Sequence, residues 1–189
     1  MKALRSLGYF VLRPFVYLLS LILCVAPLLL SGCGVFKNQY QKNSEGFYEK
    51  HYNCCGPIAI EKAINEFYRK EGVVFARNPA PRKEVSQAIQ KSGMSIKEAL
   101  CYFDPEAICI TWPSEIIHVT KKYGFELIRL ESLEELDPKK DIAIVLVHGK
   151  FFSKQYHWVV FPLHDVQYYY GKDTVIDAIY LLKKPSKNN

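Results

Sequence analysis

The stretch IAIVLV at residues 142–147 is an almost unbroken apolar run rich in β-branched residues, which predicts a strand buried on both faces. Shorter strand patterns lie on both sides of it, at 125–130, 158–163, 166–170, 174–178 and 179–182. A short acidic helix is predicted at 131–136. Since short turns link most of these segments, they predict an antiparallel sheet.

Upstream of the strands, apolar residues recur at helical spacing. They run from Pro57, which is placed like the first residue of a helix, to Gly72. Further helices are predicted at 83–91, at 96–102 and from an N-cap at Ser114 to Tyr123. Helices first and antiparallel strands afterwards predict an α+β domain, with N-terminal helices packed on a C-terminal antiparallel sheet.

The composition narrows the class of protein. The chain has 189 residues, of which 49% are apolar and 23% charged, and this is too apolar for a disordered chain. Its 10 Gly and 10 Pro exclude a collagen-like protein. Six cysteines are too few for a disulfide-dense scaffold, and no Cys-x-x-Cys pair is present to form a zinc ribbon. The length fits one domain.

Residues 1–32 have the pattern of a secretory signal. Residues 1–13 carry three cations and no acid, and residues 14–32 are uncharged, mostly apolar and end in small residues. The sequence LSGC, which ends at Cys33, resembles the lipobox of bacterial lipoproteins, in which the cysteine is acylated and becomes the first mature residue. The alternative is an uncleaved transmembrane anchor, because about 20 apolar residues span a bilayer.

The lipobox resemblance implies a lipid anchor at Cys33 and a mature chain on a membrane of the bacterial cell envelope, outside the cytoplasm. No Asp directly follows Cys33, which favours the outer over the inner membrane. Loss of residues 1–32 removes three of the 25 cations and none of the 19 acids, which lowers the formal net charge from +6 to +3. So small a charge, spread along the chain, gives no support to nucleic-acid binding.

The mature chain is predicted to contain a tether and one folded domain. Residues 33–50 comprise the lipidated cysteine and a polar segment without periodicity, which is typical of a tether. The folded domain is expected at residues 51–184, a length that can hold one hydrophobic core. Residues 185–189 form a polar tail.

A thiol, an imidazole and a carboxylate occur in an order that suits nucleophilic catalysis. Cys55 lies just before the first predicted core helix, where helix N–H groups favour a thiolate. His157 opens an apolar strand about a hundred residues later and can hold the proton. Asp177, on a following strand, can fix the imidazole tautomer. Backbone N–H groups at the helix start can also stabilise an oxyanion.

Two motifs resemble those of papain-like cysteine peptidases. Residues 55–60 (CGPIAI) are similar to the nucleophile turn of these enzymes, and residues 156–160 (YHWVV) to their histidine strand. Across residues 51–182 the order of elements is similar to the double-glycine leader peptidase domains of bacteriocin exporters. The resemblance implies a papain-like fold in which Cys55 is the nucleophile and His157 the general base and acid. It also implies that Asp177 orients the histidine.

The position of the oxyanion donor departs from that family. The family has a Gln six residues before the nucleophile, where this chain has Glu49. A carboxylate there would repel a developing oxyanion. Asn53 and His51 are candidate donors instead, as is Gln41 if the tether folds back.

Spacing leaves the carboxylate partner of His157 open. Asp177 stands where the family has an Asp that is usually followed by Pro, but Ala follows it here. The interval between the histidine and this Asp is also longer than is usual in the leader peptidases. Asp173 and Asp165, which lie nearer to the histidine in sequence, are therefore alternatives.

The other cysteines are candidates for a disulfide, because thiols outside the cytoplasm tend to pair. The sequence allows a bridge between Cys101 and Cys109 or between Cys54 and Cys101. A zinc site built from His51, Cys54 and Cys55 lacks a fourth ligand at usable spacing. No metal and no organic cofactor is expected.

These observations predict a membrane-anchored thiol hydrolase, most simply a cysteine endopeptidase that acts on a peptide or protein substrate outside the cytoplasm. The alternative is a catalytically inactive papain-like lipoprotein that binds a peptide or an envelope partner, which Glu49 favours. Acyl transfer of the transglutaminase or amidase type uses the same residues, and the sequence does not separate it from hydrolysis.

Overall fold

The structure is a computed structural model that describes residues 42–100, 105–150 and 155–185. The predicted signal peptide, Cys33 and Gln41 lie outside these ranges, as do Cys101 and residues 186–189 of the polar tail. Within the described ranges, no helix is both long enough and apolar enough to cross a membrane.

Three helices precede the sheet: α1 (Cys55–Lys70), α2 (Arg82–Leu100) and α3 (Pro113–Lys122). α2 covers the helix predicted at 83–91 and the described residues, 96–100, of the one predicted at 96–102. A kink at Gly93, where φ is −156° and ψ is 18°, divides it. α3 begins before the predicted N-cap, because the carboxylate of Glu115 accepts the backbone N–H of Trp112 at 2.7 Å and closes the first turn.

Four strands follow: β1 (Glu126–Leu130), β2 (Ala143–Gly149), β3 (Tyr156–Phe161) and β4 (Thr174–Lys183). They form one antiparallel sheet in the order β1-β4-β2-β3. β2 contains most of the IAIVLV run and pairs with a strand on each side, so the prediction of a buried strand there is confirmed.

The two faces of the sheet are covered differently. On the helix face, sheet residues such as Ile144, Trp158 and Val160 share a core with residues of all three helices. On the opposite face, which we call the loop face, Val147 and Val159 pack with residues of the connecting segments. The chain is therefore an α+β domain whose helices cover one face of an antiparallel sheet.

One strand prediction in the last third of the chain is wrong, and two other predicted strands are continuous. The segment predicted as a strand at 166–170 forms turns, because a carboxylate oxygen of Asp165 accepts the N–H of Gln167 at 2.8 Å. A short 3₁₀ helix, Gly171–Asp173, follows these turns. The two strands predicted at 174–178 and 179–182 are one strand, β4, which passes through a register shift opposite Leu146 and Val147 of β2.

The described part of the predicted tether contacts the folded domain. The backbone N–H of Tyr48 donates to the side-chain oxygen of Gln90 at 2.8 Å, and the amide of Gln90 donates back to the carbonyl of Tyr48 at 3.1 Å. Gln87 of α2 donates to Glu45 at 2.8 Å. The 3₁₀ helix Glu49–Asn53 then leads into α1. Folded contacts thus begin before the predicted domain start at residue 51.

Candidate active site

Cys55 is the first residue of α1, and its thiol is free. Its neighbour Gly56 lies where a side chain has no room, because a Cβ there would be 2.2 Å from Oγ1 of Thr111. Glycine therefore allows the segment that contains Thr111 to pack directly against the turn that carries the thiol. The predicted location of Cys55 at a helix N-terminus is confirmed.

Cys54 forms a disulfide with Cys109, and their Cα atoms are 5.2 Å apart. Both pairings that the sequence allowed, Cys101 with Cys109 and Cys54 with Cys101, are wrong because each uses a sulfur that is already bonded. The contact between Gly56 and Thr111 explains the observed pairing, since it brings the segment of Cys109 beside the turn of Cys54. The zinc set considered for this turn loses the Cys54 thiolate for the same reason.

A cavity of about 620 Å³, called the Cys55 cavity below, opens beside the thiol. Most of its lining is apolar or aromatic, from Ile110, Trp112, Pro113, Leu146, Tyr156 and Trp158. The lining also includes Cys55, Cys109, Thr111, Gln155 and His157. A cavity of this size, mostly apolar with a few polar groups, is typical of a binding site for a small molecule or a side chain.

Burial raises the pKa of the Cys55 thiol above its ordinary value. The backbone N–H groups of Trp158, Gly56 and Cys55 itself act in the opposite direction, because they favour the charged thiolate. Burial has the larger effect, so the resting group is a neutral thiol. The thiolate expected from the helix N-terminus alone is not the resting state of this site.

His157 lies on β3 opposite Val147 of β2 and contributes to the lining of the Cys55 cavity. Its ring stacks on the ring of Tyr169, with centroids 4.0 Å apart and an angle of 5° between the planes. Burial lowers the pKa of His157, which favours a neutral imidazole at neutral pH. The structure thus brings Cys55 and His157 to one cavity, with no hydrogen bond between these two described side chains.

Tyr169 links the two predicted residues. Burial raises the pKa of Tyr169, and the charge of an ionised Cys55 raises it further. The ring of the same tyrosine covers that of His157. By strand alternation His157 belongs to the loop face, like Val159, whereas Trp158 belongs to the helix face on which Cys55 packs. β3 is an edge strand of the sheet, and residues of both faces line the Cys55 cavity there.

The predicted contact between Asp177 and His157 is not formed. The strand of Asp177, β4, pairs with β2 on the side opposite β3, so the central strand separates the two residues. Oδ1 of Asp177 lies 3.4 Å from Nε2 of His148, whose Nδ1 donates to the carbonyl of Gly149 at 2.8 Å. Sequence reasoning missed His148, and the available signal was a histidine directly after the buried IAIVLV run.

The alternative carboxylates do not contact His157 either. Asp173 is exposed in the 3₁₀ helix before β4, and its backbone carbonyl accepts the N–H of Lys150 at 2.7 Å. Asp165 uses its carboxylate for the turn at Gln167. Among the residues that the structure describes, the partner of the His157 ring is therefore an aromatic side chain rather than a carboxylate.

The predicted oxyanion donors lie away from the cavity. Asn53 is exposed, His51 is fully buried, and neither lines the Cys55 cavity. Nδ1 of His51 lies 2.6 Å from Oγ of Ser86, and burial and then the charge of Lys97 lower the pKa of His51 to about 3. Glu49 is also exposed and outside the cavity lining, so its carboxylate does not occupy the position expected of an oxyanion residue.

Thr111 is a polar lining residue that the sequence analysis did not single out. Its Oγ1 is buried and has no hydrogen-bond partner in the described part of the chain. The carbonyl of Thr111 accepts the indole N–H of Trp158 at 2.9 Å, which joins this segment to β3. No sequence signal could have found it, because Thr111 lies outside every motif and the lack of a partner is a property of the folded chain.

A buried ion pair supports the wall of the cavity at Trp112. Nζ of Lys97 is fully buried and donates to both carboxylate oxygens of Glu115 at 2.7 Å. The same carboxylate accepts the backbone N–H of Trp112. Gly93 makes room for this group, because a Cβ there would be 2.5 Å from Oε1 of Glu115. The kink in α2 thus lies where the ion pair needs space.

Comparison of the chain with protein-family models, with curated proteins and with solved structures finds no match in any of the three. In the described ranges, no group of three or more His, Cys, Asp or Glu residues is placed to bind a metal ion. The function is therefore inferred from the residues of the Cys55 cavity.

Proposed function

We propose that the chain is a papain-like thiol hydrolase, most simply a cysteine endopeptidase, that acts on a peptide or protein outside the cytoplasm. The observation that carries the proposal is that a free thiol at the first residue of α1 and a histidine of β3 line one apolar cavity. Helices packed on one face of an antiparallel sheet are compatible with that fold. The signal peptide and a lipid anchor at Cys33, in a bacterial envelope membrane, belong to the same proposal.

In the proposed reaction, neutral His157 takes the proton of the Cys55 thiol as the sulfur attacks the substrate carbonyl carbon. Because burial raises the pKa of the thiol and lowers that of the imidazole, the proton is on sulfur until the attack begins. The imidazolium then protonates the leaving amine, and an acyl thioester remains on Cys55. His157 next removes a proton from water, which attacks the thioester, releases the acid and restores the thiol.

Two features of the site serve these steps. The backbone N–H groups of Cys55, Gly56 and Trp158 near the sulfur are suited to the oxyanion that forms on the carbonyl. The ring of His157 has to turn from its stack on Tyr169 towards the sulfur. No side-chain hydrogen bond within the described ranges holds that ring in its stacked position.

Peptide binding without catalysis is the second candidate function. It is favoured by the raised pKa of the Cys55 thiol and by the stacking of His157 on Tyr169. In that function the apolar lining of the Cys55 cavity would hold an apolar side chain of the partner, and the thiol would be part of the lining.

The test is cleavage of a peptide library by the full chain in detergent micelles. We expect cleavage to be lost in C55A and to fall strongly in H157A, since each removes a group that takes part in bond formation. H118A is the matched control, because His118 is exposed on α3 and outside the cavity lining. Peptides that bind the unchanged protein and C55A equally, with no cleavage by either, would contradict the hydrolase and support the binding function.

A further inference from the structure

The hydroxyl of Thr111 is buried without a hydrogen-bond partner in the ranges that the structure describes. Such groups are rare in folded proteins, because an unpaired buried hydroxyl destabilises the fold. A valine would fill a similar volume without leaving a polar group unpaired. The O–H of Thr111 is therefore a free donor, and its retention in the interior requires an explanation.

Two contacts locate this donor beside the proposed nucleophile. Oγ1 of Thr111 is the atom nearest to the place of a Cβ on Gly56, at 2.2 Å, and Gly56 directly follows Cys55. Thr111 also lines the Cys55 cavity, in which the proposed thioester would form. Its backbone is held there by the indole N–H of Trp158, at 2.9 Å from the Thr111 carbonyl.

The expected side-chain donors Asn53 and His51 do not line this cavity, so the backbone N–H groups near the sulfur lack the side-chain donor that the sequence analysis expected beside them. We propose that Thr111 is a catalytic oxyanion donor of the Cys55 site: its O–H hydrogen-bonds the carbonyl oxygen of a peptide or other acyl substrate as the sulfur attacks. This role rests on the thiol chemistry proposed above. The proton stays on Oγ1 throughout, and no bond of Thr111 forms or breaks.

Oγ1 of Thr111 is buried in the resting chain, so the proposed contact with a substrate requires this side chain to rotate about χ1. Oγ1 and Cγ2 lie 2.2 and 2.6 Å from the place of a Cβ on Gly56, so both branches of the side chain are close to that glycine. Since Oγ1 has no partner in the described ranges, the rotation breaks no hydrogen bond there. A substrate carbonyl then becomes the first acceptor for this donor.

Two small reagents distinguish the effect of the Thr111 hydroxyl on an oxyanion from the reactivity of the Cys55 thiol. p-Nitrophenyl acetate acetylates Cys55 through a tetrahedral oxyanion, whereas iodoacetamide alkylates the sulfur by displacing iodide and forms no oxyanion. Both rates are measured on the full chain in detergent micelles and assigned to Cys55 by fragment mass spectrometry. T111V removes the hydroxyl and T111S keeps it. T120V is the matched control, because buried Thr120 donates to the carbonyl of Ile116 at 2.6 Å.

We expect T111V to lower the acetylation rate by about 100- to 1000-fold and to leave the alkylation rate unchanged. T111S and T120V should react like the unchanged protein with both reagents. T111V should also unfold at a temperature at least as high as the unchanged protein, because it loses an unpaired buried group.

If T111V is acetylated as fast as the unchanged protein, the role of Thr111 is overturned. The role is also overturned if T111V loses the same factor in its rates of acetylation and alkylation. If T111V does not fold, T111A provides the same comparison of the two reagents. If Cys55 reacts with neither reagent, or if it reacts equally well in H157A, the proposed thiol chemistry is refuted. The role of Thr111, which rests on that chemistry, is then refuted as well. Loss of acetylation in H157A with full acetylation in T111V would refute the Thr111 role alone.

Discussion

His51 is fully buried beside Ser86, and its Nε2 has no partner among the described residues. Burial, with a smaller effect from Lys97, lowers the pKa of His51 to about 3. In the unfolded chain the pKa of a histidine is about 6.5. Between these values the unfolded chain binds a proton that the folded chain does not, so acid favours unfolding through this one residue.

We therefore expect the free energy of unfolding to fall by about 1.4 kcal/mol per pH unit between about pH 6 and 4 through His51 alone. H51N, whose amide can still bond Ser86, should flatten this dependence, because asparagine does not titrate. The measurement is urea unfolding at several pH values. H118N, at an exposed position, is the control. Parallel losses of stability in H51N and the unchanged protein would contradict the assignment.

At the scale of elements, the strand order decides which carboxylate can meet which histidine. β2 lies between β3 and β4, so His157 and Asp177 are on opposite sides of the central strand. The register shift between Leu146 and Val147 makes Asp177 the extra residue of β4, and there it meets His148. A carboxylate on β4 thus supports β2 rather than the histidine of β3.

D177N is accordingly expected to leave the reactivity of Cys55 towards p-nitrophenyl acetate unchanged. It should reduce the free energy of unfolding by less than about 1 kcal/mol, since the contact with His148 is partly exposed. H157A, measured in parallel, is the variant that should lose acetylation. If D177N loses as much acetylation as H157A, Asp177 orients that histidine after all.

At the scale of the whole molecule, the disulfide between Cys54 and Cys109 joins the start of α1 to the wall of the Cys55 cavity across 55 residues of sequence. A cross-link stabilises mainly by restricting the unfolded chain, and a loop of this length corresponds to about 4 kcal/mol. The same bond holds Thr111 near Gly56, so it contributes to the site as well as to the fold.

The double substitution C54S/C109S should lower the free energy of unfolding by about 4 kcal/mol, measured by urea unfolding at neutral pH. C55S is the control, because it changes the neighbouring thiol and keeps the disulfide. A loss in the double variant no larger than in C55S would show that the cross-link does not stabilise the domain.

Periodicity predicted much of this fold, because α1 and β2 each bury a regular apolar pattern that the sequence displays. It failed at 166–170, where a side chain of Asp165 fixes a turn within an apolar run. That Cys55 and His157 line the same cavity was predictable from two motifs. The partner of Asp177 was not, because strand order depends on pairings distant in sequence.

Thr111 occupies the space that a side chain at position 56 would need, so substitutions at these two positions depend on each other. Even the Cβ of Thr111 would lie 2.5 Å from a Cβ at position 56, so alanine there requires the segment of Thr111 to move unless residue 111 is itself glycine. A chain with glycine at position 111 lacks the hydroxyl. A residue from a distant part of the chain thus limits which side chain can follow the cysteine.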